Sequence, residues 1–535
     1  MLNNFTYSLF SFAQIALGYD AAGQQKNVLV QDAATLIGRG IAALGGHDRI
    51  SAIHSIAYVG DTQVPSLFSC AVFLYPDAPA MCSGRQNLTF SYDQPHVKQR
   101  IDRNAALGPV WSFARPDLQP MEYSLVVQGG DDGFAAVVEG SYSIIDPNAE
   151  PAGLLASYLI SEASIAPKRL TATLAKIRTS QQITARMEES TMGVQVPAGK
   201  TDIPNAMRTE ANGRAVHDES TGIVVLLDSD TYLPHIVRSY SDHPIFGPST
   251  YDLLVYNYTE VEGVQFPQRF KSIVNNKHVT AEYVADQILI NSNHAPDLFS
   301  RPGNGIVPEA SVPTRHPDYS HAVIGEFSDS FVWPGAYRGT LETLDAGAVR
   351  VEEQDIPGLW VLRMIMSQAV IELEDDVVIV LDAPPHQSKL VIEWVRQRLG
   401  KEITHVWVTH HHHDHALGIG DYAKIGAKMI VPDSAAHYYS GLNSTQDQFI
   451  TYSRGKSITF KDSKTQVTFI DMEATIHAHD HGYAVVTPAC PTVDSPTVVF
   501  EADHAAAHLL HVMDQGLIQE LLTSFKRDKV PRNAR

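Results

Sequence analysis

The sequence predicts a two-part α+β protein. A β-rich, antiparallel N-terminal half precedes a C-terminal sandwich of two sheets with helices outside. Three observations carry this reading. Five strand-like runs follow one another between Ile223 and Ile290 with only short turns between them. A strand–helix–strand order occupies Gln368 to Val408. The apolar run Ile403–Val408 then passes directly into a loop, Thr409–Gly418, that holds five histidines and an aspartate. Such a strand end is where an α/β sheet places its chemistry.

Size and composition bound the function. With 535 residues the chain exceeds one ordinary domain. An apolar share of 44% and a charged share of 19% are those of a globular protein with ample core. A net charge of −20 argues against a nucleic-acid partner, because phosphate binding needs clustered Lys and Arg. No apolar run reaches the roughly 18 residues of a membrane span. The 3 cysteines make no disulfide framework; a single Cys70–Cys82 bridge would require secretion. Phe5–Leu17 is moderately apolar but lacks the positive flank of a signal peptide, which favours a cytoplasmic over a secreted location.

Taken in order, Leu36, Ile37, Ile41 and Leu44 recur at helical spacing, and Gly45-Gly46 ends that helix. Short alternating runs from Gly60 to Gln128 predict strands. Residues 152–189 predict two helical stretches divided by Pro167, with Leu154, Leu155, Tyr158 and Leu159 on one face and Leu170, Leu174 and Ile177 repeating later. Ile223–Asp228, Pro234–Tyr240, Ser249–Tyr258, Val264–Val274 and His278–Ile290 predict an antiparallel meander. Pro296, Pro302, Pro308, Pro313 and Pro317 mark a linker over 295–332. Beyond it, Leu359–Met364, Gln368–Leu373 and Val377–Leu381 predict strands, and Ser388–Leu399 an amphipathic helix. Gln466–Ile470, Ala484–Thr487 and Thr497–Phe500 predict further strands, and Ala505–Lys526 a closing helix. The expected division is 1–27, an N-terminal segment; 28–294, a β-rich domain; 295–332, a linker; and 333–535, the sandwich.

The histidine loop reads as His-x-His-x-Asp-His, with His410, His412, Asp414 and His415 as candidate ligands and His411 and His413 as spacers. Alternate residues of an extended loop share a side, so His410 and His412 can face one ion. Asp414 and His415 follow the start of a turn and can reach a second. Imidazole with carboxylate suits a divalent transition metal, zinc above all. This motif resembles the signature of the metallo-β-lactamase superfamily.

The resemblance implies an αββα sandwich and a soluble, two-domain zinc-dependent hydrolase with one or two zinc ions. Its metal-bound hydroxide would attack an ester, lactone, thioester or related carbonyl of a small, apolar substrate. It implies that Asp382 lies just behind the metals, and that Asp414 orients the hydroxide and passes on a proton. It further implies that Asp503, at the end of the last strand, bridges the two ions. For the third ligand of the first ion, His479 before the Asp480–Gly482 turn fits best, with His477 and His481 of the same parity as substitutes. The family's usual last histidine has no counterpart after Asp503, where His504, His508 and His511 share one helical face. A second resemblance lies in the first half. Ala-Leu-Gly-Gly within 33–60, Leu-Asp followed by Leu-Pro-His near Asp228–His235, and the run Tyr258–Phe270 resemble a lipoprotein-carrier half-barrel. That implies the alternative function, a non-enzymatic carrier of an apolar ligand with a vestigial metal site.

Overall fold

The computed structural model describes residues 33–64, 82–91, 98–107, 120–128, 134–141, 183–189, 212–218, 223–275, 278–300, 339–350, 356–364, 366–442, 446–473, 475–505 and 515–535. Cys70, the segment 5–17, and residues 301–332 of the expected linker lie outside these, as do His508 and His511.

The first half builds one sheet of twelve antiparallel strands. They are β1 (Ser55–Val64), β2 (Cys82–Ser91), β3 (Lys98–Leu107), β4 (Met121–Gln128), β5 (Phe134–Ser141), β6 (Ile183–Glu189), β7 (Asn212–Asp218), β8 (Ile223–Leu227), β9 (Pro234–His243), β10 (Gly247–Val261), β11 (Val264–Val274) and β12 (His278–Ile290). The order is β5-β4-β3-β2-β1-β12-β11-β10-β9-β8-β7-β6. Each strand neighbours the next in sequence except β5 and β6, which form the two edges, and β12 returns to pair with β1, placing Ile56 opposite Ile290. The expected meander is present, with β9 and β10 each running three residues beyond the C-terminal ends read from sequence. One expectation is corrected: Ile183–Glu189 is strand β6, paired with β7, not the end of a helix. β-branched Ile183 and Thr184 suit a ladder better than the weak helical spacing before them. The remainder of that stretch, 142–182, lies outside the described residues.

Helix α1 (Ala33–Leu44), followed by the short α2 (His47–Ser51), lies against β6, β7 and β11. Its apolar face is buried through Leu36, Ile37, Ile41 and Leu44. It stops at Gly45, where φ is +123° and a Cβ would lie 2.2 Å from the Gly263 carbonyl. Only glycine fits both conditions.

The second half is an αββα sandwich. A seven-stranded sheet runs in chain order through β13 (Ala348–Arg350), β14 (Leu359–Leu362), β15 (Gln368–Glu372), β16 (Val378–Leu381), β17 (His405–Trp407), β18 (Lys428–Pro432) and β19 (Phe449–Tyr452). β13 to β16 are antiparallel and β16 to β19 parallel. The facing sheet is the antiparallel set β20 (Ser457–Lys461), β21 (Thr465–Asp471), β22 (Gly482–Pro488) and β23 (Val498–Phe500). Trp407, Ile430, Phe469, Ala484 and Val486 are buried between the sheets, with Trp407 stacked on Phe469. Outside the larger sheet lie α4 (Ser388–Trp394) and α6 (Ile419–Lys424), whose Val391, Trp394, Ile419 and Tyr422 share a core with Val406 and Met429. α3 (Leu341–Gly347) joins that layer, and α5 (His413–Ala416) is the short turn inside the histidine loop. α7 (Gln515–Arg527) packs Leu521 against Tyr483. No helix among the described residues is long and apolar enough to cross a membrane.

Among the described residues, the two halves meet at the hairpin between β9 and β10. The turn between β9 and β10 inserts Ile245 into the core outside the larger sheet. The approach is close: a Cβ on Gly420 would lie 2.5 Å from the Pro244 carbonyl, and one on Gly441 2.5 Å from that of Phe246. His243 Nδ1 accepts from the amides of Ile245 and Phe246, which closes the turn. Its ring then lies 5.3 Å from that of His413 in the histidine loop.

Candidate metal centre

The centre is assembled at the C-terminal ends of parallel neighbours β16 and β17. Asp382 leaves β16 with φ of 63°, its amide donating to the Trp407 carbonyl. Its carboxylate accepts from the Thr409 amide at 2.7 Å and lies 2.8 Å from His415 Nδ1. Asp382 therefore fixes the start of the loop and the orientation of one imidazole together, with His415 Nε2 aimed the other way. The loop is held again from the facing sheet: the Gly482 amide donates to the Thr409 carbonyl, and His411 Nδ1 lies 2.7 Å from Asp480 Oδ1. His411, read from sequence as a spacer, thus ties the histidine loop to the turn between β21 and β22.

Three donor atoms converge in front of this frame. His410 Nε2 and His477 Nε2 stand 3.1 Å apart, and Asp503 Oδ2 lies 3.1 Å from the latter and 3.4 Å from the former. His412 completes a set whose ligand atoms all fall within 4.8 Å of one another. Across Asp503, His415 Nε2 lies 3.1 Å from the same oxygen and 3.5 Å from Asp414 Oδ2. His410, Asp414 and His415 form a second such set. The structure thus brings together His410, His412, Asp414, His415 and Asp503. It puts His477, not the expected His479, in the remaining place. The resemblance favours His479 for its place just before the Asp480–Gly482 turn, with His477 and His481, of the same parity, as substitutes. The segment instead turns, with the His481 amide donating to the Ala478 carbonyl, and His479 falls outside every such set among the described residues. Glu501, His481 and His504 make a third set. His504 was weighed from sequence as part of the closing helix, but it lies in the turn after β23, well before α7.

The electrostatics follow from this crowding. Burial, then the neighbouring His481 and His412, holds His410 well below the ordinary histidine range. Burial also opposes charge on His415, but Asp503, Asp414 and Asp382 outweigh it and hold that imidazole well above the range. Burial would raise Asp503, yet His415, His410 and His477 together hold its carboxyl well below the carboxylate range. The donors fit a metal. The imidazole nitrogens of buried His410 and half-buried His477, aimed at each other, can share at most one proton, whereas a cation satisfies both. Imidazole and carboxylate, without thiolate, suit a divalent ion.

Residues 367–506 match the family model of the Metallo-beta-lactamase superfamily, and this part of the chain is a metallo-beta-lactamase domain. The match does not extend to residues 28–294, and the lipoprotein-carrier resemblance there is not confirmed. No curated protein matches the chain. Among solved structures, the MIM-1 metallo-beta-lactamase from Novosphingobium pentaromativorans is 17% identical, with 34% of this chain and 71% of that chain covered at a TM-score of 0.23. A metallo-beta-lactamase from Pontibacter korlensis is 13% identical, covering 35% and 88% at a TM-score of 0.26. The flavodiiron protein from Giardia intestinalis is 16% identical, covering 34% and 51% at a TM-score of 0.24.

Proposed function

We propose that the chain is a zinc-dependent hydrolase of an ester, lactone, thioester or related carbonyl compound. The observation that carries this reading is the convergence of His410 Nε2, His477 Nε2 and Asp503 Oδ2 within 3.4 Å, beside His412. His410, His412 and His477 would hold the first ion. Asp503 would bridge to a second ion held with Asp414 and His415. Bound there, zinc supplies Lewis acidity toward a carbonyl oxygen and acidifies water near neutral pH.

The chain's own groups do the rest. Asp382, beside His415 Nδ1, would turn Nε2 of that imidazole inward toward the second ion. The side chain of Asp414 is 15% exposed, which lets it exchange protons with a reacting molecule. It would orient the attacking water and pass its proton to the leaving group. His411 and Asp480, both buried, hold the loop against the facing sheet and keep these positions rigid.

The carrier alternative finds less support. A cleft of about 450 Å³ on the N-terminal sheet is lined by Arg85, Asp102, Arg103, Glu122 and Glu139 among others, charged groups that an apolar ligand would have to desolvate. Hydrolysis of a panel of simple esters and lactones, before chelation, after it and after zinc is returned, tests the proposal. Activity lost with the metal and regained with zinc is expected. A metal-loaded protein inert across the panel would count against it.

A further inference from the structure

Beyond Asp503 the chain carries another group of donors. We propose that His481, Glu501 and His504 hold a divalent cation of their own, beside the centre formed by His410, His412, His477 and Asp503. Their ligand atoms lie within 4.8 Å of one another. His504 Nδ1 is 3.2 Å from Glu501 Oε1, and His481 Nε2 is 3.9 Å from the same oxygen. The second distance is too long for a hydrogen bond. It suits two ligands of one ion, which stand about 3.4 Å apart in a tetrahedron with bonds near 2.1 Å and farther apart at wider angles.

His481 is the decisive residue. Its side chain is fully buried, and neither Nδ1 nor Nε2 has a hydrogen-bond partner among the described residues. A neutral imidazole has one donor and one acceptor, and both are costly to bury unmatched. A cation at Nε2 satisfies the acceptor. The other two residues are already set for the same task. Glu501 is nearly buried, and its two oxygens accept from the amides of His504 and Ala505. On the far side of His504, Nε2 lies 3.1 Å from Thr475 Oγ1 and 3.4 Å from Glu520 Oε2. An imidazole with a carboxylate behind it presents its other nitrogen to a metal. A purely electrostatic reading, with a protonated His504 between Glu501 and Glu520, accounts for His504 but leaves both nitrogens of His481 unmatched. Two imidazoles and a carboxylate with an open position suit zinc or a similar ion. The ring of His481 stacks on His410 at 4.5 Å, so the two sites share a wall.

The inference deepens the proposed centre, and its test keeps the two apart. Cobalt(II) binding to the full chain is counted by equilibrium dialysis and read by its visible absorption. Glu501→Gln is expected to lose one equivalent relative to the unaltered chain, His477→Ala a different one, and the double variant both. His481→Phe, which keeps an aromatic ring without donors, should lose the same equivalent as Glu501→Gln and serves if that variant does not fold. Unchanged cobalt content in the two folded auxiliary-site variants overturns the inference, as does loss of all cobalt in either. Unchanged content in His477→Ala instead overturns the first centre and leaves this one standing.

Discussion

The N-terminal sheet and the metal centre both bury polar side chains, but they do so in opposite ways. In the sheet, opposites meet. Arg238 donates from Nε and Nη2 to the two oxygens of Asp252, with both side chains at most 1% exposed. Arg103 donates to Gln86 and to Tyr123, and Arg100 to Asp102, Ser124 and Glu139. In the centre, like meets like: imidazole nitrogens face each other, and three of them surround one carboxylate oxygen. Complementary groups finish a structure by themselves. Repeated acceptors leave a charge to be supplied from outside, which is why the second arrangement marks a ligand site and the first does not.

Four substitutions test that contrast. The largest effect is expected at Asp414→Asn. Turnover should fall by about a hundredfold to ten-thousandfold, the range of a general acid or base, while elemental analysis finds metal retained by His410, His412 and His477. Unaltered turnover would remove Asp414 from the chemistry.

In the sheet, Asp252→Asn leaves the Arg238 guanidinium buried without its counter-charge. Denaturant unfolding should report a loss of about 3–5 kcal/mol, and replacing both residues by apolar ones should recover most of it. Metal content of the folded chain should not change. If the double replacement were as damaging as the single one, the pair would not be the self-contained structural unit described here.

Ile245→Ala, at the hairpin that reaches from the sheet into the sandwich core, should cost about 2–4 kcal/mol. It should also loosen the seat of His413, read as faster amide exchange in the histidine loop. Exchange unchanged there would mean that the hairpin only fills space. The smallest effect belongs to Thr404, which accepts from the Val378 amide and donates to its carbonyl. Thr404→Val should cost about 1 kcal/mol with no effect on metal. This is a complementary pairing within the sandwich itself, so a metal effect there would spoil the distinction.

Much of this arrangement could be read from the chain. The β11 and β12 boundaries, Val264–Val274 and His278–Ile290, follow from alternation and turn residues and need no knowledge of the rest. The histidine loop was legible because its donors are close in sequence and follow a strand. Asp503 was legible only through the resemblance, which implies a bridging carboxylate at the end of that strand. What failed to show was anything set by a turn. His477 and His479 have the same parity, and only the Ala478–His481 hydrogen bond separates their directions. One signal was available: Asp480 would be a natural partner for a spacer histidine, and that pairing fixes the turn. Strand β6 was missed because its partner β7 contributes the ladder, which no local pattern announces. The pairing of His481 with Glu501 and His504 joins residues from two different turns and has no local signature at all.

The central claim is that His410, His412 and His477 share an ion and that His479 does not. Metal content of purified full-length His477→Ala and His479→Ala, measured side by side with the unaltered chain, tests it directly. His477→Ala is expected to lose metal and His479→Ala to keep it. Retention in the first with loss in the second would contradict it.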